Sequence, residues 1–308
     1  MKKILIPILL VFILVFSACS NQVAEEENAS DIQSTESEII IYESENGPIE
    51  VPAKPQRIVV LNSFISGNVM ALDGNIVGID EWSKQNPRYE KYIEDAIVVS
   101  EESLEKIVEL EPDLIIAPSS SKNIDKLKVI APTVTFTYGK VDYLTQFLET
   151  GKLLNKEKEA QAWIDNFKLR AQKAGEEIKS KIGDDATISV IESFEKQLYV
   201  FGDNWGRGTE ILYQEMGLKM LDKVKEMAIK DGYYALSPEV LPEFAGDYII
   251  FSKNPEANHS FQETDTYKNI PAVKNNRVFE VNAKEFYFND PITLEYQLDF
   301  IKKSLLGG

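Results

Sequence analysis

The sequence predicts an α/β fold of two lobes joined by one long helix. Short continuous apolar runs, the mark of strands buried on both faces, alternate with stretches of helical spacing. One segment, residues 155–182, then holds a single apolar stripe without a break, and the strand–helix alternation starts again beyond it. A length of 308 residues suits two domains, and 44% hydrophobic against 27% charged residues gives each a core to bury.

A leader precedes the folded part. Met1-Lys2-Lys3 is a basic start, Ile4 to Phe16 is apolar, and Ser17-Ala18-Cys19 follows, with Cys19 the only cysteine. The apolar run suits a signal-peptide core and falls short of a permanent membrane span. Its small-small-Cys ending resembles the bacterial lipobox, although Phe16 stands where an aliphatic residue is usual. Residues 1–18 are therefore expected to be a removable signal peptide and Cys19 the lipidated end. Residues 19–38 have no aromatic side chain and many acids and serines, so they cannot bury enough surface to offset their ordering entropy. They read as a tether with a reach of about 25 Å.

Residues 39–154 form the first lobe. Its strands are expected at 39–42, 58–61, 76–79, 113–116 and 134–136, with Leu104, Ile107, Val108 and Leu110 on one face of a helix. Asn155 is read as the cap of the connecting helix, 155–182, whose stripe is Ala160, Trp163, Ile164, Phe167, Ala171, Ala174 and Ile178. At 1.5 Å per residue it spans about 39 Å, enough to run the height of two small lobes. Gly183-Asp184-Asp185 stops it. The second lobe, 183–308, has apolar runs at 187–191, 198–201, 248–251 and 278–281.

Composition narrows the chemistry. With 33 basic and 50 acidic residues the formal charge is −17, which repels a phosphate backbone and argues against nucleic acid. One cysteine excludes an intramolecular disulfide, and one histidine removes most zinc sites and Ser-His-Asp arrangements. That histidine, His259, sits in a polar stretch and reads as a solvated loop residue. Glu101-Glu102 reads as a solvated helix start rather than an acid/base pair, and no H-E-x-x-H, G-x-S-x-G or phosphate loop occurs. No catalytic residue, resident cofactor or protein-held metal is expected.

Two stretches could bind a ligand. Gly202-Asp203-Asn204-Trp205-Gly206-Arg207-Gly208 leaves a strand and enters a helix, offering an indole wall and forked guanidinium donors. The residues alone leave open a Trp packed on its own lobe and an Arg in an ion pair. Phe286-Tyr287-Phe288-Asn289-Asp290-Pro291 carries three consecutive aromatics, which cannot all point into one core, so at least one is expected to face solvent or ligand. In the first lobe Tyr138 and Ser119-Ser120-Ser121 follow strand ends, where ligands of parallel sheets sit.

Several segments together resemble the metal-siderophore and cobalamin substrate-binding proteins of ABC uptake systems. They are Pro52-x-x-Pro55-x-Arg57-Ile-Val-Val, Leu104-Glu105-Lys-Ile-Val-x-Leu-x-Pro112-Asp113, Ile130-Ala-Pro-Thr-Val134, the long helix and Asn269-Ile-Pro-Ala-Val273. More narrowly, Tyr199-x-Phe-Gly-Asp-Asn-Trp205-Gly-Arg207-Gly and Tyr287-Phe-Asn-Asp-Pro resemble the lipid-anchored ferric hydroxamate (ferrichrome and ferrioxamine) receptors of Gram-positive bacteria. The resemblance implies Rossmann-like lobes of the class III periplasmic-binding-protein type, with ligand contacts at Tyr199, Trp205, Arg207, Tyr287, Phe288 and Tyr138. It also implies permease docking through Glu105 and Glu239. The ligand would be an Fe(III)-siderophore complex, with iron held by the siderophore. The partners would be an ABC permease with its ATPase, the membrane would be met only through the lipid anchor on its extracytoplasmic face, and the protein would be a monomer. A catecholate, ferric citrate, haem or cobalamin receptor stays open, as does, in another class, a secreted surface hydrolase. Trp205→Ala or Arg207→Ala is expected to weaken binding without unfolding the protein.

Overall fold

The structure, a computed structural model, describes residues 38–194 and 196–307; the signal peptide, Cys19 and the tether up to residue 37 lie outside the described residues. The chain opens on an antiparallel hairpin, Ile39–Ser44 (β1) with Gly47–Pro52 (β2). Only β1 is legible in sequence, because Pro48 and Pro52 disguise β2; an edge strand tolerates both.

Five parallel strands form the first sheet. Ile58–Val60 (β3), Ile76–Ile79 (β4), Ile97–Val98 (β5), Leu114–Pro118 (β6) and Thr133–Phe136 (β7) lie in the order β5-β4-β3-β6-β7. β3 and β7 are buried along their whole length, as two-sided covering by helices requires. Helix Tyr143–Leu153 follows, started by Asp142, whose carboxylate accepts from the backbone N–H groups of Leu144 and Thr145.

The long helix runs Glu157–Ile182, two residues later than expected. Asn155 does not cap it: at φ 55° it occupies the left-handed region and ends the preceding helix, a role asparagine tolerates. The apolar stripe is in place, with Ala160, Ile164, Phe167, Ala171, Ala174 and Ile178 buried and Trp163 stacked on Phe167 at 4.8 Å.

The second sheet is mixed. Thr187–Phe194 (β8), Gln197–Phe201 (β9), Lys219–Met220 (β10), Tyr233–Leu236 (β11), Tyr248–Lys253 (β12) and Val278–Asn282 (β13) take the order β11-β9-β8-β12-β13, with β10 also paired to β8. β8, β12 and β13 run parallel. β9 turns back antiparallel, Phe194 opposite Gln197, because so short a link leaves no room for a crossover helix. One apolar cluster joins both sheets through the long helix and the C-terminal helix Pro291–Leu306.

Asp290 ties this junction together. Its carboxylate accepts from the N–H groups of Ile292 and Thr293 at the C-terminal helix start, and from the Tyr89 hydroxyl. Helix Ser63–Ala71 approaches so closely that a Cβ on Gly67 would overlap that carboxyl group.

Candidate ligand-binding site

The turn after β9 is set by backbone geometry. Gly206, Arg207 and Gly208 all have positive φ, 69°, 59° and 80°. Glycine is required at 206, since a Cβ would strike the Tyr287 carbonyl oxygen. Arg207 accepts a left-handed backbone costing about 1 kcal/mol, held there by its N–H donating to the Phe286 carbonyl at 3.0 Å. Glu210–Glu215 follows as π-helix, with Met216 N–H donating to the Ile211 carbonyl five residues back. The Glu210 carboxylate turns back to accept from Gly206 N–H and Asn289 Nδ2, both at 2.9 Å, and from Thr209 Oγ1 at 3.0 Å. Burial pushes its pKa up while these bonds oppose the shift.

Arg207 is in an ion pair, and the pair is buried. Its Nη2 and Nε donate to the two carboxylate oxygens of Glu192 at 3.0 and 3.2 Å, with 6% and 1% of the two side chains exposed. Nη1 donates to the carbonyls of Trp205 and Tyr287 at 3.2 and 3.4 Å. The rings of Phe201 and Tyr287 flank the guanidinium at 5.0 and 4.8 Å. Ser252 Oγ donates to Glu192 from the neighbouring strand at 2.6 Å. Glu192 escaped the sequence reading, although an acid at the end of the run Ile188-Ser-Val-Ile191 was a signal: in so apolar a strand it needs a partner.

A run of rings crosses from this turn to the first lobe. Tyr199 meets Tyr233 at 5.8 Å, Tyr233 meets Trp205 at 5.3 Å, Trp205 meets Tyr138 at 5.0 Å and Tyr138 meets Phe64 at 4.4 Å. The Tyr138 hydroxyl donates to the Asn204 carbonyl at 3.3 Å. Burial raises the pKa of the Tyr138 and Tyr287 phenols, so both stay neutral.

Trp205 lines two cavities. One, of 210 Å³, has Tyr199, Trp205, Arg207, Glu192, Tyr233 and Trp82 in its walls. The other, of 430 Å³, lies against Tyr138, Asn204, Glu210 and Asn289. A larger groove of 1040 Å³, walled by Trp163, Glu295 and Tyr296, contains none of the residues expected from sequence to bind ligand.

Tyr199, Trp205 and Arg207 thus share one cavity, and Tyr138 reaches Trp205 from the first lobe. Tyr287 packs beneath Arg207, and Phe288 lies among Tyr89, Phe64 and Trp82. Of the expectation that one of the three consecutive aromatics faces solvent or ligand, the solvent part is corrected: Phe286, Tyr287 and Phe288 are all buried. They point in different directions because the segment lies in the seam between the sheets: Phe286 packs on Tyr296 and Phe300, and Tyr287 on Trp82 and Phe194, two walls of the 210 Å³ cavity. Trp82 and Tyr233 were missed because their lobe partners are far away in sequence. Glu105 is exposed in the first turn of helix Leu104–Glu109, and Glu239 is exposed just before helix Leu241–Phe244. His259 is half-buried rather than solvated, its Nε2 2.8 Å from Ser193 Oγ, and desolvation lowers its pKa. Ser121 Oγ and Lys122 N–H hold the Glu101 carboxylate, which fixes the loop after β6.

The comparisons with known proteins agree with this architecture. The family model of periplasmic binding proteins matches residues 58–285. The iron(3+)-hydroxamate-binding proteins FhuD and YxeB of Bacillus subtilis are 37% and 36% identical. The matches cover 96% and 99% of this chain and 95% and 97% of theirs. Among solved structures, FhuD2 of Staphylococcus aureus with bound ferrioxamine B has a TM-score of 0.78 at 34% identity, over 82% of this chain and 98% of that one. The FhuD protein from S. pseudintermedius has a TM-score of 0.77 at 36% identity, over 88% and 99%. The shared fold, carried over nearly the whole folded chain at this identity, assigns the protein to the periplasmic binding protein family.

Proposed function

We propose that the chain is the substrate-binding lipoprotein of an ABC importer, which captures Fe(III)-hydroxamate siderophores outside the cytoplasmic membrane and delivers them to the permease and its ATPase. The observation that carries this reading is an aromatic-walled pocket around a single guanidinium, in a chain whose named relatives bind iron(3+)-hydroxamate. Three hydroxamates cancel the charge of Fe³⁺, so the complex is neutral and wrapped in methylene chains. Rings and one forked donor suit it. A tris-catecholate or citrate complex is anionic and calls for a surplus of basic groups, whereas among the described residues the 210 Å³ cavity pairs its one base, Arg207, with Glu192, and the two lysines of the 430 Å³ cavity, Lys140 and Lys230, are outnumbered there by Asp142, Glu210 and Asp231.

In this reading Cys19 anchors the protein by lipid and residues 19–38 tether a monomer. The lobes 39–154 and 183–308 hold the ligand between them. Pockets for small ligands measure about 300–1,000 Å³, so the 210 Å³ cavity alone is small. The ligand takes its room by displacing Tyr138 from Trp205, which joins the two cavities. No covalent chemistry occurs: Glu192 and Glu210, the acids whose carboxylates are bonded to the turn, are each occupied by donors, so neither is poised to move a proton. Neutral Tyr138 and Tyr287 can hydrogen-bond to a chelate without competing for its iron as phenolates would.

Tryptophan fluorescence, titrated with a ferric trihydroxamate, tests the reading: saturable quenching is expected, and its absence would sink it. Trp205→Ala should weaken binding about thirtyfold, as for an aromatic anchor worth about 2 kcal/mol, and should leave the thermal midpoint within a few degrees. Unchanged affinity would remove Trp205 from the site. Glu105→Ala with Glu239→Ala should leave binding intact and cut cellular uptake of the iron complex severalfold; normal uptake would dismiss these two acids as the docking points.

A further inference from the structure

Alone, Arg207 would attract any oxyanion that reached the pocket, and the low-dielectric aromatic walls would strengthen that pull. It is not alone. Glu192 takes two of its forked bonds, and Ser252 Oγ pins the carboxylate on the strand that carries it. The guanidinium and carboxylate sum to zero charge, and the remaining walls of the cavity are rings: Trp82, Phe194, Tyr199, Phe201, Trp205 and Tyr233. The formal charge of −17 on the whole chain also repels anions, but that field is screened within about a Debye length of 8–10 Å in ordinary salt. A buried contact pair is not screened in that way.

Resting on the ferric-chelate reading above, we infer that Glu192 is a specificity-determining residue: by neutralising Arg207 it admits uncharged chelates and rejects anionic ones. The recognition donor is present, yet it cannot act as a free cation. A receptor built for an anionic chelate would leave its arginine unpaired.

The test is a fluorescence titration at 0.15 M and 0.5 M salt with a neutral ferric trihydroxamate and a ferric tris-catecholate, on the wild-type protein and on Glu192→Gln. The glutamine keeps the shape and removes the charge. The ratio of tris-catecholate to trihydroxamate affinity should rise about tenfold or more and persist at the higher salt. An unchanged ratio overturns the inference, as does a wild-type protein that binds both complexes equally. Should the lone buried arginine prevent folding, the charge-neutral double variant Glu192→Met/Arg207→Met decides: continued rejection of the tris-catecholate supports the charge filter, and a gain of binding overturns it. A wild-type protein indifferent to the trihydroxamate overturns the ferric-chelate reading itself, and this inference with it.

Discussion

Arg207→Ala is expected to cost the protein about 3–5 kcal/mol of stability, seen as a large fall in the urea midpoint, in addition to weakening ligand binding. The cause is Glu192. With the guanidinium gone, a carboxylate that is 1% exposed keeps only the Ser252 hydroxyl as a donor, in a strand otherwise surrounded by apolar side chains. Two carbonyls, of Trp205 and Tyr287, lose a donor as well. Small domains have only about 5–15 kcal/mol in hand, so the variant sits close to unfolding. The buried pair thus argues against the expectation that this substitution spares the fold, and loss of binding in Arg207→Ala cannot be read as the loss of one ligand contact. The double variant Glu192→Met/Arg207→Met should recover most of the stability, because replacing both charges leaves none stranded. A stability for Arg207→Ala within 0.5 kcal/mol of wild type would show that Glu192 finds other partners without the guanidinium, and would dismiss the buried pair as a structural element.

How much of this could be read from sequence follows from where each contact originates. β3, β6 and β12 are apolar runs covered on both faces, so their identity is written in the residues themselves. β5 and β10 are two residues long, and β2 carries prolines at its ends; only pairing with a neighbour makes them strands. The end of the helix at Leu153 was hidden because Asn155 fits both a helix start and a left-handed stop, and the packing of the helix ahead of it decides. In the site, Trp205 and Arg207 were legible as a glycine-flanked turn after a strand. Glu192, Trp82 and Tyr233 were not, since each is a site residue only through a partner supplied by another element. The buried state of Phe288 was likewise invisible: its neighbours Phe64, Trp82 and Tyr89 all come from the other lobe.

A single methyl group at Gly67 is expected to be nearly as damaging. Inside a helix, glycine to alanine ordinarily stabilises by about 0.5–1 kcal/mol. Here the sign reverses, because the added Cβ would occupy the space of the Asp290 carboxyl group. Moving that carboxylate releases the Ile292 and Thr293 N–H groups, and it leaves the buried Tyr89 hydroxyl only the long 3.4 Å contact to Thr293 Oγ1. A lost cap costs about 1 kcal/mol and a buried hydroxyl left with one long contact about 1–3 kcal/mol, so Gly67→Ala should lose about 2–4 kcal/mol. Asp290→Ala should lose a similar amount, and combining the two should cost clearly less than their sum, since the second substitution makes room for the first. Charge separates the roles of Asp290. Burial raises its pKa above the ordinary 3.8, so the folded state holds the proton more readily than the unfolded chain does. Its protonation therefore contributes fully below that value, and the contribution is lost as pH rises through the elevated one. Asp290→Asn keeps the capping oxygen without the charge. It should match or exceed wild-type stability at neutral pH and flatten the dependence in the acid range. If Gly67→Ala melts at or above the wild-type temperature, or if Asp290→Asn destabilises as much as Asp290→Ala at pH 7, the tie between the first helix and the segment behind the pocket is not held as described.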